Sequence, residues 1–165
     1  MSDLVLREEP YDGTAARILV EAVQQEYVDR YGGPDETPVD PRDFTRPRGA
    51  FVVGYLDDEP VATGGLRLVA SDTAEIKRMY VAPVVRGRGW SRVVLAKLEE
   101  LATELGARRV ILETGRRQPE AIGLYESAGY ERIDGFGHYR CEPESVSYGK
   151  QLSRPEEADR AGSRR

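Results

Sequence analysis

A chain of 165 residues, 39% hydrophobic and 32% charged, is long enough to bury roughly 70% of the surface its unfolded form exposes, and too apolar and patterned to stay disordered. A net charge of -5 and a pI near 5.1 argue against a nucleic-acid binder, which must neutralise dense phosphate charge. One cysteine, Cys141, and one histidine, His138, exclude a disulfide framework and a zinc site of clustered Cys and His, so no metal is expected. No run approaches the ~18 apolar residues of a membrane span and Met1 to Pro10 lacks a signal-peptide pattern, so the expectation is a cytoplasmic protein with no membrane partner.

Asp3 to Glu9 alternates Leu4 and Leu6 with polar neighbours and predicts a short edge strand. From Thr14 to Tyr31 the apolar positions Ala15, Ile18, Leu19, Ala22, Val23 and Tyr27 recur at three and four until Gly32-Gly33-Pro34, which predicts an amphipathic helix. Pro34 to Arg48 reads as a long acidic loop with one short helical turn, capped by Asp40 with Pro41 in first position. Ala50 to Leu56, Val61 to Ala70 and Ala74 to Val81 are joined too tightly for crossovers and predict consecutive antiparallel strands. Beyond a Gly-rich stretch, Val94, Leu98, Leu101 and Leu105 form a helical stripe ending at Gly106. Arg109 to Glu113 carries the continuous apolar run of a buried parallel strand. Pro119 to Ala128 predicts a helix, Tyr130 to Ile133 and Ser145 to Leu152 two closing strands, and residues 153–165 a polar, disordered tail. The expected architecture is α/β: one domain over residues 1–152, a mixed central sheet of about six to seven strands with helices on both faces.

Charge is unevenly spread. Glu75 to Arg117 holds ten Lys and Arg against five acids, so the rest of the chain carries -10. That division suits an anionic ligand on one side and a cationic one on the other, or simply solvated surface charge. Within the basic stretch, Arg86-Gly87-Arg88-Gly89-Trp90-Ser91 separates a strand from a helix. Its glycines can turn N–H groups inward at the positive end of that helix, a cradle for phosphate. It lacks the Lys-Ser/Thr of a nucleotide P-loop and the third glycine of a dinucleotide fingerprint.

This loop stands between Glu75-Ile76-Lys77-Arg78-Met79-Tyr80-Val81-Ala82-Pro83 and two further stretches, Leu112-Glu113-Thr114-Gly115 and Ala121-Ile122-Gly123-Leu124-Tyr125-Glu126-Ser127-Ala128-Gly129-Tyr130. The four motifs together resemble the GNAT superfamily of acyl-CoA-dependent N-acyltransferases, in element order from about Leu4 to Leu152. The resemblance implies acetyl transfer from acetyl-CoA, as co-substrate, to an amine by direct attack in a ternary complex. It further implies that the backbone of Met79, Tyr80 and Val81 would pair with the pantetheine arm as an added strand. The N–H groups of Arg86, Gly87, Arg88, Gly89, Trp90 and Ser91 would hold the pyrophosphate, and Tyr125 would protonate the departing thiolate. Arg88 or Arg92 would meet nucleotide phosphates or remain solvated. Ser91 stands where the family usually has Gly or Ala, Trp90 replaces a smaller aliphatic residue and is expected to pack between helix and sheet, and Gln118 occupies the place of an Asn that contacts pantetheine in many members.

An alkylamine of pKa near ~10 is protonated at neutral pH, so a base is required. Glu75 at the start of its strand is the candidate, directly or through water, or else it only pairs with Lys77 or Arg67 on the sheet. A backbone N–H near Val81 would receive the carbonyl's developing charge. Glu113 at a strand end is read as supporting structure, His138 as a surface residue and Cys141 as a partly buried strand residue. The acceptor, an amine on a small molecule or peptide, is expected between the Pro34 to Arg48 loop and Phe136 to Tyr139, attracted by Asp35, Glu36, Asp40 and Asp43. Under the opposing reading Asp40 is only a cap, and Arg42, Arg46 and Arg48 cancel those acids. A homodimer stays open. Two rival functions need no base: a non-catalytic acyl-CoA-binding module, and an interaction domain with an empty cleft.

Overall fold

The computed structural model describes residues 3–152, and the tail expected at residues 153–165 lies outside them. The elements follow the predicted order: β1 Val5–Glu8, α1 Thr14–Tyr31, a 3-10 turn Pro41–Phe44, β2 Gly49–Leu56, β3 Glu59–Ala70, β4 Thr73–Val81, a second 3-10 turn Pro83–Val85, α2 Trp90–Glu104, β5 Arg109–Gly115, α3 Pro119–Ser127, β6 Glu131–Ile133 and β7 Ser145–Gln151. The strands form one sheet in the order β1-β2-β3-β4-β5-β7-β6. Every pairing is antiparallel except that of β4 with β5.

Local chemistry explains the boundaries. Gly32 ends α1 at φ 83°, its N–H bonded to the Val28 carbonyl, a conformation glycine adopts without a Cβ penalty. Asp40 caps the first 3-10 turn by accepting the Arg42 N–H, while Asp43 reaches back to the Asp40 N–H. The β2–β3 turn places Asp57 and Asp58 at φ 48° and 64°, the left-handed pair a two-residue hairpin turn demands.

Strand alternation divides the core. Ala50 and Val52 of β2 enter the larger cluster, with Leu66, Val94, Leu98, Leu101 and Val110. Phe51 and Val53 enter the smaller one, with Ala16, Leu19 and Phe44. The first cluster packs under α2 and the second under α1, so the two helices cover opposite faces. The buried stripe of α1 is Ala16, Leu19 and Val23, whereas Ile18, expected on the apolar face, is 58% exposed.

Two adjacent glycines allow both faces to approach the sheet. A Cβ on Gly64 would sit 2.7 Å from Leu98 and 2.8 Å from Val94 of α2, and one on Gly65 would sit 2.8 Å from the Phe44 ring. Gly64 also marks a register shift: Thr63 pairs with Tyr80 and Gly65 with Lys77, so Arg78 and Met79 together oppose it as a β-bulge. Arg78 takes φ 59°, a conformation L side chains resist.

Candidate functional site

The site begins where two strands part. β4 and β5 pair from Thr73 with Arg109 to Ile76 with Leu112 and no further, while β5 continues against β7 as far as Gly115 with Ser145. The end of β4 therefore has β3 on one side and an opening on the other. Ala82 donates to Val61 across β3 and Tyr80 pairs with Thr63, so by alternation the peptide groups of Met79 and Val81 face the opening. The Val81 carbonyl there accepts Arg86 Nε at 2.8 Å, and Arg86 Nη2 reaches both Glu26 oxygens at 3.0 Å.

A cleft of about 500 Å³ fills this opening, lined among others by Met79, Glu113, Gln118, Tyr125 and Tyr139. Tyr31 enters it because Gly115 has no side chain: a Cβ there would overlap the Tyr31 ring. Gln118 Nε2 donates to the Tyr31 hydroxyl at 3.3 Å. Tyr125 is 6% exposed, and its hydroxyl faces Met79 Sδ at 3.7 Å, a weak sulfur acceptor. Burial pushes the Tyr125 hydroxyl well above the usual phenol range, so it keeps its proton at neutral pH. Burial likewise pushes Tyr27, on the same wall, up to about 12.

The Gly-rich loop lies beyond the cleft, past the end of β4. Gly87 and Gly89 take φ 83° and 80°, and a Cβ on either would find nothing within 4 Å. Gly89 is the N-cap of α2 without a side-chain bond, so the first N–H groups of a 15-residue helix face open space at its positive end. Arg88 is exposed and Ser91 half-buried. Trp90 packs against the larger core cluster, as expected of its side chain. Arg92 bonds Ser127 Oγ on α3.

Glu75 is 4% exposed and its Oε1 accepts Arg67 Nε at 2.9 Å. It lines a second cavity of about 550 Å³ with Thr37, Val69, Ile111, Phe136 and His138, and does not line the first. Glu113 lines both. It follows Leu112, the last β5 residue paired to β4, so its side chain stands at the fork. Ser145 Oγ donates to it at 3.3 Å. Burial raises its carboxyl pKa, with Glu75 and Asp35 adding to the rise and Lys77 opposing it. From sequence Glu113 reads only as supporting structure at a strand end, because the place where β4 and β5 part is set by their pairing, not by either strand alone.

The acidic loop differs from expectation. Asp35 forms ion pairs with Lys77 Nζ at 3.1 Å and with Arg78. Burial alone would raise the Asp35 carboxyl, but Lys77, Arg78 and the Thr37 N–H hold it well below the usual carboxylate range. Asp40 pairs with Arg42, Asp43 with Arg67, and Arg46 with Glu8 and Glu104. The capping reading therefore describes Asp40, and three of the four loop acids are matched within the protein. The loop does meet the Phe136 to Tyr139 segment, since the Tyr139 hydroxyl accepts the Glu36 N–H at 2.7 Å. His138 is exposed, its ring 4.6 Å from that of Tyr139. Cys141 is exposed in a turn, not a strand, because β7 starts only at Ser145. Among the described residues no helix is long and apolar enough to cross a membrane, and no three His, Cys, Asp or Glu are grouped to hold a metal ion.

Residues 20–130 match the profile of the Acetyltransferase (GNAT) family. YjgM of Escherichia coli K12, an uncharacterized N-acetyltransferase, is 36% identical over 106 residues, 60% of this chain, and the match spans 64% of YjgM. The IAA acetyltransferase of Azospirillum brasilense is 30% identical over 152 residues, covering 90% of this chain and 97% of that protein. Among solved structures, a Klebsiella pneumoniae protein provisionally assigned as an acyl-CoA N-acyltransferase superposes with a TM-score of 0.77 at 25% identity, over 91% of this chain and 98% of its own. An acetyltransferase from Elizabethkingia anophelis with acetyl-CoA bound shares the fold at a TM-score of 0.67 and 15% identity, over 92% and 100% of the two chains.

Proposed function

Since the chain belongs to the GNAT acetyltransferase family, we propose that residues 1–152 act as one acyltransferase unit that moves an acetyl group from acetyl-CoA to a primary amine by direct attack in a ternary complex. One observation carries this reading: a free strand edge on β4 runs from Glu113 and Tyr125 at the fork toward the open glycine cradle at the start of α2. A thioester with an extended arm and a pyrophosphate end fits that sequence of features. The Met79 carbonyl and the Val81 peptide would pair with the arm, and the N–H groups from Gly87 to Ser91 would take the anion. Gln118, on the cleft wall, would contact the arm from the N-cap of α3.

Acetyl-CoA supplies the activated acetyl group. The protein must supply a nucleophile. At pH 7 about one alkylamine in a thousand is unprotonated, a deficit of ~4 kcal/mol for a group of pKa near ~10. Glu113 is the carboxylate we assign to accept the amine proton, directly or through water, because it stands at the fork and no ion pair holds it among the described residues. Glu75 would have to give up its bond to Arg67 to do the same. As the carbon–nitrogen bond forms, the Met79 N–H would stabilise the carbonyl oxygen, and the carbon–sulfur bond breaks toward Tyr125, whose retained hydroxyl proton can serve the departing sulfur.

The test is acetyl-CoA calorimetry, followed by thiol release with a panel of primary amines and, as a separate arm, with IAA, the compound in the name of the Azospirillum relative. Binding with amine-dependent thiol release supports the enzyme. Binding without release across the panel favours the acyl-CoA-binding module, and no binding favours the interaction domain.

A further inference from the structure

Arg78 is the one non-glycine residue in the described strands with a left-handed φ, 59°, and it is held there from two directions. Its guanidinium, in a residue 3% exposed, pairs with Asp35. Its carbonyl accepts the hydroxyl of the fully buried Thr63 at 2.8 Å. Asp35 is itself fixed: its carboxylate takes Lys77 Nζ at 3.1 Å and the Thr37 N–H at 2.9 Å, and its own N–H bonds Gln24 Oε1 at 2.8 Å. An L side chain in this conformation persists only where its surroundings over-determine it. The next peptide group, that of Met79, is the first to face the opening between β4 and β5.

We propose that Asp35 is a positioning residue for acyl transfer: its ion pair with Arg78, together with the Thr63 hydroxyl, holds the bulge in the left-handed form that turns the Met79 N–H toward the reacting carbonyl. The proposal rests on the acyl-transfer reading above. It differs from a purely structural role, in which Asp35 only fastens the loop after α1 to β4 and the conformation of residue 78 is irrelevant to turnover.

Arg78→Ala and Arg78→Gly separate the two. Both remove the guanidinium and leave Asp35 its bond to Lys77, but only alanine keeps the Cβ that resists the left-handed region. Arg78→Ala should lose about 10-fold or more in kcat while acetyl-CoA affinity stays within about 2-fold, and Arg78→Gly should regain most of that loss. Asp35→Asn should fall with Arg78→Ala, and the double variant Asp35→Asn with Arg78→Gly should recover. A readout independent of turnover is the three-bond HN–Hα coupling of Arg78, which should move from its left-handed to its extended value in Asp35→Asn. Equal kcat for Arg78→Ala and Arg78→Gly, or an Arg78 coupling unchanged in Asp35→Asn, would overturn the proposal. Failure of the wild type to bind acetyl-CoA would instead sink the acyl-transfer reading, while the coupling still decides whether Asp35 sets the bulge.

Discussion

Replacing Gly89 with alanine tests the glycine cradle, and Gly106 supplies a matched control. Gly89 sits at φ 80° before α2 and Gly106 at φ 92° after it, and in both cases a Cβ would meet nothing within 4 Å. Each alanine therefore carries the same backbone penalty, on the order of 1–2 kcal/mol, and no clash. At roughly 2–4 °C per kcal/mol for a chain of this size, each variant should melt about 2–8 °C below the wild type. The two must part in binding. A methyl at Gly89 projects into the space where the N-terminal N–H groups of α2 would hold the pyrophosphate, whereas a methyl at Gly106 lies at the other end of the helix. Calorimetry at a temperature where both variants are folded should show acetyl-CoA bound about 10-fold or more weakly by Gly89→Ala, ~1.4 kcal/mol, and unchanged in Gly106→Ala. Equal affinities in the two variants, with the expected melting shifts, would refute the cradle.

Tyr125→Phe removes a hydroxyl whose one side-chain bond among the described residues is to a thioether, so melting temperature should barely move while turnover falls on the order of 100-fold; turnover at the wild-type rate would leave Tyr125 only a packing role. Glu113→Gln should abolish the acid limb of the kcat/KM profile against pH. Because burial raises the Glu113 carboxyl, that limb should lie above the usual ~4.3 of glutamate, with activity present above it and lost as pH falls through it; a limb that survives in Glu113→Gln and vanishes in Glu75→Gln would move the base to Glu75. Phe44→Ala, at a residue 2% exposed and stacked on Tyr11 at 4.8 Å, should lower unfolding free energy in urea by about 3–5 kcal/mol, and a loss under ~1 kcal/mol would mean the smaller cluster contributes little.

Much of the architecture was legible because its signals are local. The 3.6-residue period and the glycines after Tyr31 gave α1 its observed ends, and Asp40 before Pro41 announced the 3-10 turn. Short connections implied the antiparallel run β2-β3-β4, and the apolar Val110-Ile111-Leu112 implied the parallel strand. What was not legible depends on distant partners. Ile18 satisfies the helical period as well as Ala16, and only the position of the sheet decides which is covered. Lys77-Arg78-Met79 reads as ordinary strand, because a bulge exists only relative to the register of β3. Asp35 looked like a lure for a cationic acceptor, since its partners Lys77 and Arg78 lie more than forty residues away. Glu75 and Glu113 are equivalent by sequence alone; their difference follows from the pairing that ends at Ile76 and Leu112.

Gly64 makes one hydrogen atom the reference point for two ends of the site. It faces the bulge across the strand pair, and by lacking a Cβ it also sets how closely Leu98 and Val94 seat α2 on the sheet. The reach from the acyl end of the cleft to the first turn of α2 is thus gauged by helix-to-sheet contact, while residues 82–85, ahead of the glycine cradle, merely span it. Sequence in that connection can drift without altering the reach, but a methyl at Gly64 would push the helix outward and lengthen it from a position that touches neither end of the ligand.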